Sequence, residues 1–228
     1  MKKTGVLLVV LILGMSQLKA QYKPFVFGLE FAPNIGWFKS DLKNYENEGT
    51  EVGFSWGFVS EFYLMENYAV ATGFDVVYLN GRLSYPHAPE PGSDTVGTLS
   101  RKYKSKYLEI PLALKMKTNA YGNMRFYGKV GLGTAFLLSA KGKDKFTSDS
   151  YNKSFEEDDI KNEMKNFRES LILGAGIEYS VGGSTLLTFG ITFDNGFTDV
   201  LKYENTADPD VNHKAINNYL ELNLGIIF

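Results

Sequence analysis

After its first twenty residues the chain alternates apolar and polar positions almost throughout, a period of two that belongs to extended strands and shows no long amphipathic helix. Eight segments carry the pattern: residues 24–37, 52–65, 68–80, 106–117, 124–139, 167–181, 185–196 and 216–228. Each reaches the ~9–11 residues that a tilted strand needs to cross a bilayer. Every second residue builds a face without charge, as in Phe25, Phe27, Leu29 and Phe31, or in Leu108, Ile110, Leu112, Leu114 and Met116. The opposite parity holds Glu30, Glu61, Asp75, Glu109, Lys115, Arg125, Lys129, Arg168, Glu178, Asp194 and Glu221, mixed with Gly, Ala, Ser and Tyr.

A soluble β-sandwich also has one apolar face per strand, so alternation alone admits two architectures. The aromatic weight of the apolar face, an export-type start and the rhythm of the connections favour a membrane barrel. Short connections at 66–67, 118–123 and 182–184 alternate with long ones at 38–51, 81–105, 140–166 and 197–215, as tight periplasmic turns alternate with extended outer loops in outer-membrane barrels. An even strand count puts both termini at the short-turn end. The expected fold is all-β, a closed eight-stranded antiparallel up-and-down transmembrane β-barrel, with no sheet edge left to face lipid.

Two loops carry local signals. Pro86, Pro89 and Pro91 in the second long loop read as exposed irregular chain. In the third, Ser154-Phe-Glu-Glu157 has the spacing of a capping box, which admits a short helix to about Asn166. The acidic run Glu156, Glu157, Asp158 and Asp159 then reads as a solvated helix start in preference to a cation site.

The first residues change the compartment. Lys2 and Lys3 precede an apolar run from Val6 to Leu13, and Leu18-Lys19-Ala20 offers a cleavage site, so residues 1–20 read as a signal peptide and residues 21–228 as the barrel, starting at Gln21. The run is short of the ~20 residues of a spanning helix. The chain has no cysteine, which excludes a disulfide framework, a thiolate metal site and a cysteine nucleophile. Losing Lys2, Lys3 and Lys19 changes 24 basic against 26 acidic residues into 21 against 26, a net −5 that disfavours a nucleic-acid partner. A mean hydropathy of −0.17 does not argue for a soluble protein, because only alternate strand residues of a barrel meet lipid.

The run Tyr107-Leu-Glu-Ile-Pro-Leu-Ala-Leu-Lys115, followed by Phe126-Tyr-Gly-Lys-Val-Gly-Leu-Gly-Thr-Ala-Phe-Leu-Leu138, resembles the PorT-like outer-membrane β-barrel family of Bacteroidetes. Leu173-Gly-Ala-Gly-Ile-Glu-Tyr179 and the closing Leu220-Glu-Leu-Asn-Leu-Gly-Ile-Ile-Phe228 are similar to it too, so the resemblance spans the mature chain. It implies an eight-stranded outer-membrane barrel. One branch of that family is associated with type IX secretion and gliding machinery, which makes a secretion-machinery role one implied function. Phe228 looks like the C-terminal aromatic signature read by barrel assembly machinery, and it is equally the next outward residue after Leu224 and Ile226.

An eight-stranded bore is about filled by side chains, so no open pore is expected. Seven inward acids then meet four inward bases, and buried charges must pair or neutralise. A salt-bridged plug that fixes strand register is the expected role; a proton- or cation-binding lumen is the alternative. Pro111 inside a strand points to a bulge or a local break in pairing. Gly131, Gly133, Gly174 and Gly176 fit close packing beside large lumen side chains such as Tyr127. Trp37, Tyr63, Tyr68, Tyr78, Tyr103, Tyr121 and Tyr179 near strand ends read as interfacial girdles.

No catalytic, cofactor or metal site is expected. The enzyme alternative, an outer-membrane lipid- or peptide-modifying hydrolase or acyltransferase, needs a general base beside a nucleophile. It would rest on His87 and His213, with Ser84 and Ser93 near the first and Asp208 and Asp210 near the second. A soluble ligand-binding barrel with an apolar lumen is a third reading. The sequence favours a non-enzymatic structural or interaction barrel, partnered by outer-membrane lipid, by assembly machinery at Phe228 and by a protein at the outer loops.

Overall fold

The computed structural model describes residues 24–89, 95–149 and 152–228; the expected signal segment 1–20, the mature start at Gln21, and the loop residues Pro91 and Ser93 lie outside them. The strands are β1 (Phe25–Lys39), β2 (Glu46–Met65), β3 (Tyr68–His87), β4 (Gly97–Lys117), β5 (Met124–Thr147), the short β6 (Asn152–Ser154) and β7 (Asp158–Asp159), then β8 (Phe167–Gly182), β9 (Thr185–Gly196) and β10 (Ile216–Ile227). The long strands pair antiparallel in chain order, and β10 returns to β1 in a register running from Gly28↔Ile227 to Lys39↔Ile216. The result is an eight-stranded ring of hydrogen bonds.

Orientation of the side chains separates a membrane barrel from a soluble one. Phe74, Leu112 and Ile191 are 45%, 60% and 45% exposed, while Glu109 is 3% exposed. A water-facing belt of this extent would be an aggregation surface. Hydrocarbon is the solvent that suits it, and the lumen takes the ions.

At the short-turn end the strands stop within a residue or two of the sequence expectation. At the other end, β2 begins at Glu46, β3 runs on to His87, β4 begins at Gly97 and β5 runs on to Thr147. Apolarity changes faces there. On β4 the outward column reads Met116, Leu114, Leu112, Ile110, Leu108 and then Lys106, Lys104, Lys102, while the inward column passes from Lys115 and Glu109 to Tyr107, Tyr103 and Leu99. Beyond the bilayer the sheet obeys the rule for water: polar out, apolar in. In β5 the parity is reset by a bulge, where Tyr107↔Leu137 gives way to Lys106↔Ser139 and leaves Leu138 as the extra residue.

Residues that looked like loops therefore build a second core over the mouth of the barrel. Phe38, Leu79, Leu83, Tyr85, Leu99, Tyr103 and Phe146 from the strand extensions pack with Ile160, Met164, Val200 and Leu201 from the last two long connections. The short helix expected from Ser154 does not form. β8 pairs with β5 only as far as Phe136↔Phe167, so the upper edge of β5 has free backbone groups, and the connection supplies them: Ser154 pairs Lys145, Asp159 pairs Lys141, and the Ile160 amide donates to the Ala140 carbonyl. Unpaired strand edge outcompetes a local capping signal. Only a single 3-10 turn, Lys161–Glu163, follows.

Pro86 is also strand, opposite Thr98, which corrects its reading as irregular chain. Pro111 gives the local break in pairing without a bulge: the β3–β4 ladder lapses between Thr72↔Leu112 and Asp75↔Glu109 in unchanged register, and Thr72 Oγ1 donates to the Pro111 carbonyl at 2.8 Å. Tyr63 and Tyr103 leave the girdles, because their strand parity turns both inward. Tyr68, Tyr121 and Tyr179 at the short-turn end, and Trp37 and Tyr78 at the other, do face outward.

Candidate functional site

Inward side chains divide the bore into three layers. Nearest the short turns, Lys115 Nζ donates to Glu61 at 2.5 Å and to Glu178 at 2.7 Å, and Lys117 Nζ reaches the same two carboxylates at 2.6 and 2.8 Å. All four are nearly fully buried, and two ammoniums balance two carboxylates. The rings of Tyr127 and Tyr63 lie 4.1 and 4.8 Å from Lys115 and Lys117. Desolvated ions survive where opposite charges meet this closely, although Glu178 Oε2 is left without a hydrogen-bond partner.

Nearest the long loops, Arg168 from β8 is the hub. Its Nη1 donates to Glu109 at 3.3 Å, Nη2 to Asp194, and Nε to the Asn217 side chain at 2.6 Å. Ser170 Oγ donates to Asp194 at 2.7 Å and the Tyr219 hydroxyl to Glu109 at 3.2 Å. One guanidinium thus serves two carboxylates.

Between these layers, Glu30, Asp75, Glu221 and Lys129 line a cavity of about 60 Å³, room for a few waters. Ser55 Oγ donates to Glu221 at 2.8 Å, and the Asn223 amide donates to Glu30 at 2.8 Å and to Glu221 at 2.9 Å. Three carboxylates against one ammonium concentrate the acid excess of the bore in this layer. Backbone glycines make the room. A Cβ at Gly174 would lie 2.6 Å from Lys129 Cε, and one at Gly176 would lie 2.6 Å from the Tyr127 hydroxyl.

Ten of the eleven charged residues singled out in the sequence face this bore. Arg125 shares their inward parity, opposite Glu178, but sits at the short-turn end of β5, partly exposed and with no ion pair among the described residues. Lys117 takes its place in the lower layer. It shares the parity of Lys115 and Glu109, and its position at the very end of its segment hid it. The amides Asn217 and Asn223, which pattern reading passes over as polar filler, are anchors of the other two layers.

The two histidines belong to the cap. His87 Nδ1 lies 2.8 Å from Thr206 Oγ1, and His213 Nδ1 lies 2.9 Å from the Tyr45 hydroxyl. Asn205 joins them, donating to the Tyr45 hydroxyl at 2.7 Å and to the Pro86 carbonyl at 2.9 Å. Neither histidine is hydrogen-bonded to a serine or an aspartate among the described residues, and Ser93 lies outside them. Burial holds His213 down at about 4, with the charge of Arg101 acting in the same direction. Arg101 itself clasps Asp144 through two hydrogen bonds of 2.7 Å and also pairs Glu163. In the acidic run, Glu157 is turned to Lys104 and Lys141, and Asp159 accepts from the Lys161 amide.

A family model described as an outer membrane protein beta-barrel domain matches residues 15–202. Among solved structures, Neisserial surface protein A is similar at 11% identity over 90% of this chain and 96% of that one, with a TM-score of 0.48. OprG of Pseudomonas aeruginosa is similar at 14% identity over 90% and 95%, with a TM-score of 0.46. Ail of Yersinia pestis is similar at 14% identity over 90% and 100%, with a TM-score of 0.38. No curated protein matches the chain. With the closed ring, the outward apolar belt and a match over most of its length, the chain belongs to the outer membrane protein beta-barrel family and resides in the outer membrane.

Proposed function

We propose that this protein is a non-enzymatic, non-conducting barrel that anchors an ordered cap on the cell exterior for contact with a partner. What supports the reading is the pair of ion-bonded layers around Arg168 and around Lys115 and Lys117, which bring charged side chains together across the bore on either side of the small cavity. Folded on top of them, the cap buries its own apolar core and fixes all four long connections to one another. Rigid display suits recognition. Shape and charge are then presented at the loop surface, and the barrel supplies position and stability. The long-loop end faces outward in this reading, with the tight turns in the periplasm.

Planar-bilayer recording on the purified barrel tests the closed bore: the wild-type protein is expected to give no ohmic steps, and steady conductance would refute it. The resemblance to the PorT-like family makes a secretion-machinery component one form of the partner, and a pull-down from outer membranes tests that form.

A further inference from the structure

Above Leu108 the outward column of β4 turns from apolar to Lys106, Lys104 and Lys102, and the β5 bulge turns Lys141, Lys143 and Lys145 out beside them. Register sets Lys102 opposite Lys143 and Lys104 opposite Lys141. Like charges directly opposite on one sheet face repel, and the chain's own carboxylates answer only part of that repulsion. Glu51 bridges Arg82 and Lys102, and Glu157 bridges Lys104 and Lys141; such exposed pairs are weak and exchange readily. Lys106, Lys143 and Lys145 have no carboxylate within 4 Å among the described residues, and Lys106 lies over the Tyr78 ring at 5.2 Å.

Height fixes what the patch meets. Lys106 follows Leu108 by two residues, roughly 7 Å of strand at ~3.3 Å per residue, on the face that touches hydrocarbon below. Its ammonium therefore emerges among headgroups, as lysines at a membrane boundary do. A groove of about 410 Å³ opens there on the outward face, with Val52, Phe54 and Tyr78 as its floor and Lys104, Lys106 and Lys141 on its rim. Apolar floor and basic rim match an amphiphile whose headgroup carries phosphate. On its β2 side the patch ends at Glu51.

We propose that this groove binds a phosphorylated glycolipid of the outer leaflet, of the lipid A type, with phosphate on Lys104, Lys106 and Lys141 and an acyl chain along Val52 and Phe54. The proposal rests on the outward orientation of the long loops given above.

The test titrates the full-length barrel in detergent with diphosphoryl lipid A and with the same lipid stripped of phosphate. The wild-type protein is expected to prefer the phosphorylated lipid by about tenfold or more, on the scale of lysines at an anionic surface. Lys104→Gln, Lys106→Gln and Lys141→Gln together should abolish the preference, and the corresponding arginine triple should keep it. Equal loss in a control triple, Lys43→Gln, Lys202→Gln and Lys214→Gln, would reduce the effect to net charge and overturn the site. Tighter binding of a soluble sulfated polysaccharide at the same lysines, without the lipid preference, would overturn the choice of ligand. Orientation has its own readout: a membrane-impermeant amine reagent should label Lys145 on intact cells. Failure to label it would overturn the outward reading, and with it the cellular role of the groove, even where lipid binding in detergent persists.

Discussion

Arg168 on β8 and Glu109 on β4 meet 3.3 Å apart across β5, so one ion pair ties strands that share no ladder. Asp194 on β9 and Asn217 on β10 complete the set. A single side chain thereby specifies the relative height of four strands, which backbone pairing alone fixes only between neighbours.

Removing that hub strands two buried carboxylates. Arg168→Ala is expected to cost ~3–5 kcal/mol, the range for breaking a buried ion pair, in urea unfolding of the barrel reconstituted in lipid vesicles. Adding Glu109→Gln and Asp194→Asn to it should recover much of the loss, because the orphaned charges go with their partner.

Lipid-facing and lumen-facing positions should differ sharply in their tolerance of charge change. Leu112→Arg places a guanidinium in hydrocarbon and is expected to cost ~2–4 kcal/mol. Glu109→Gln keeps an acceptor for Tyr219 and leaves Arg168 balanced by Asp194, so it should cost under ~1 kcal/mol. Heat-modifiable migration and vesicle unfolding read both; equal tolerance would contradict the assignment of faces.

The contrast between Leu112 and Glu109 also shows what was legible in the sequence. Inside the bilayer one parity is continuously apolar, and strands, register and the ionised bore follow from it. Past Leu108 the solvent changes, Lys106 and Tyr107 exchange the roles of Leu108 and Glu109, and alternation read with one fixed sense dissolves into apparent loop. The extra residue Leu138 adds a parity slip at the same level. Nothing local at Ser154 announces that β5 offers it a free edge, so its capping spacing misled. In the bore, Lys117 was missed because it lies at a segment end, and Arg125, at the same end of β5, keeps the inward parity read from the sequence but is partly exposed and makes no ion pair among the described residues.

Glycine positions in the wall should divide by face. Gly176→Ala drives a methyl group into the Tyr127 hydroxyl and the Phe189 carbonyl, with an expected loss of ~1–3 kcal/mol from overpacking. Gly128→Ala, whose nearest neighbour would be the Gly174 carbonyl at 3.9 Å, should be nearly neutral. Paired vesicle unfolding curves of the two variants decide it.

Acid should loosen the cap before it touches the barrel. Unfolded, His213 takes a proton as pH falls through 6.5; buried in the cap it takes none until about 4. The unfolded state binds more protons across that window, so cap stability is full above it and declines as pH falls from 6.5 to 4. Hydrogen exchange of residues 200–213, corrected for the intrinsic effect of pH, should accelerate across this window. In His213→Gln the extra acceleration should shrink, leaving the share of His87, which burial also holds below its ordinary value.

The central claim is the direction in which alternate residues look, and the cysteine-free chain makes it directly measurable. Single substitutions Leu108→Cys, Glu109→Cys, Ile110→Cys, Leu112→Cys and Lys115→Cys, spin-labelled and reconstituted in vesicles, report collision with membrane-dissolved oxygen against a water-soluble nickel chelate. High oxygen collision at 108, 110 and 112, with shielding from both reagents at 109 and 115, is the predicted result. Shielding of 110 and 112 from oxygen, with free access of nickel to 109, would contradict the account.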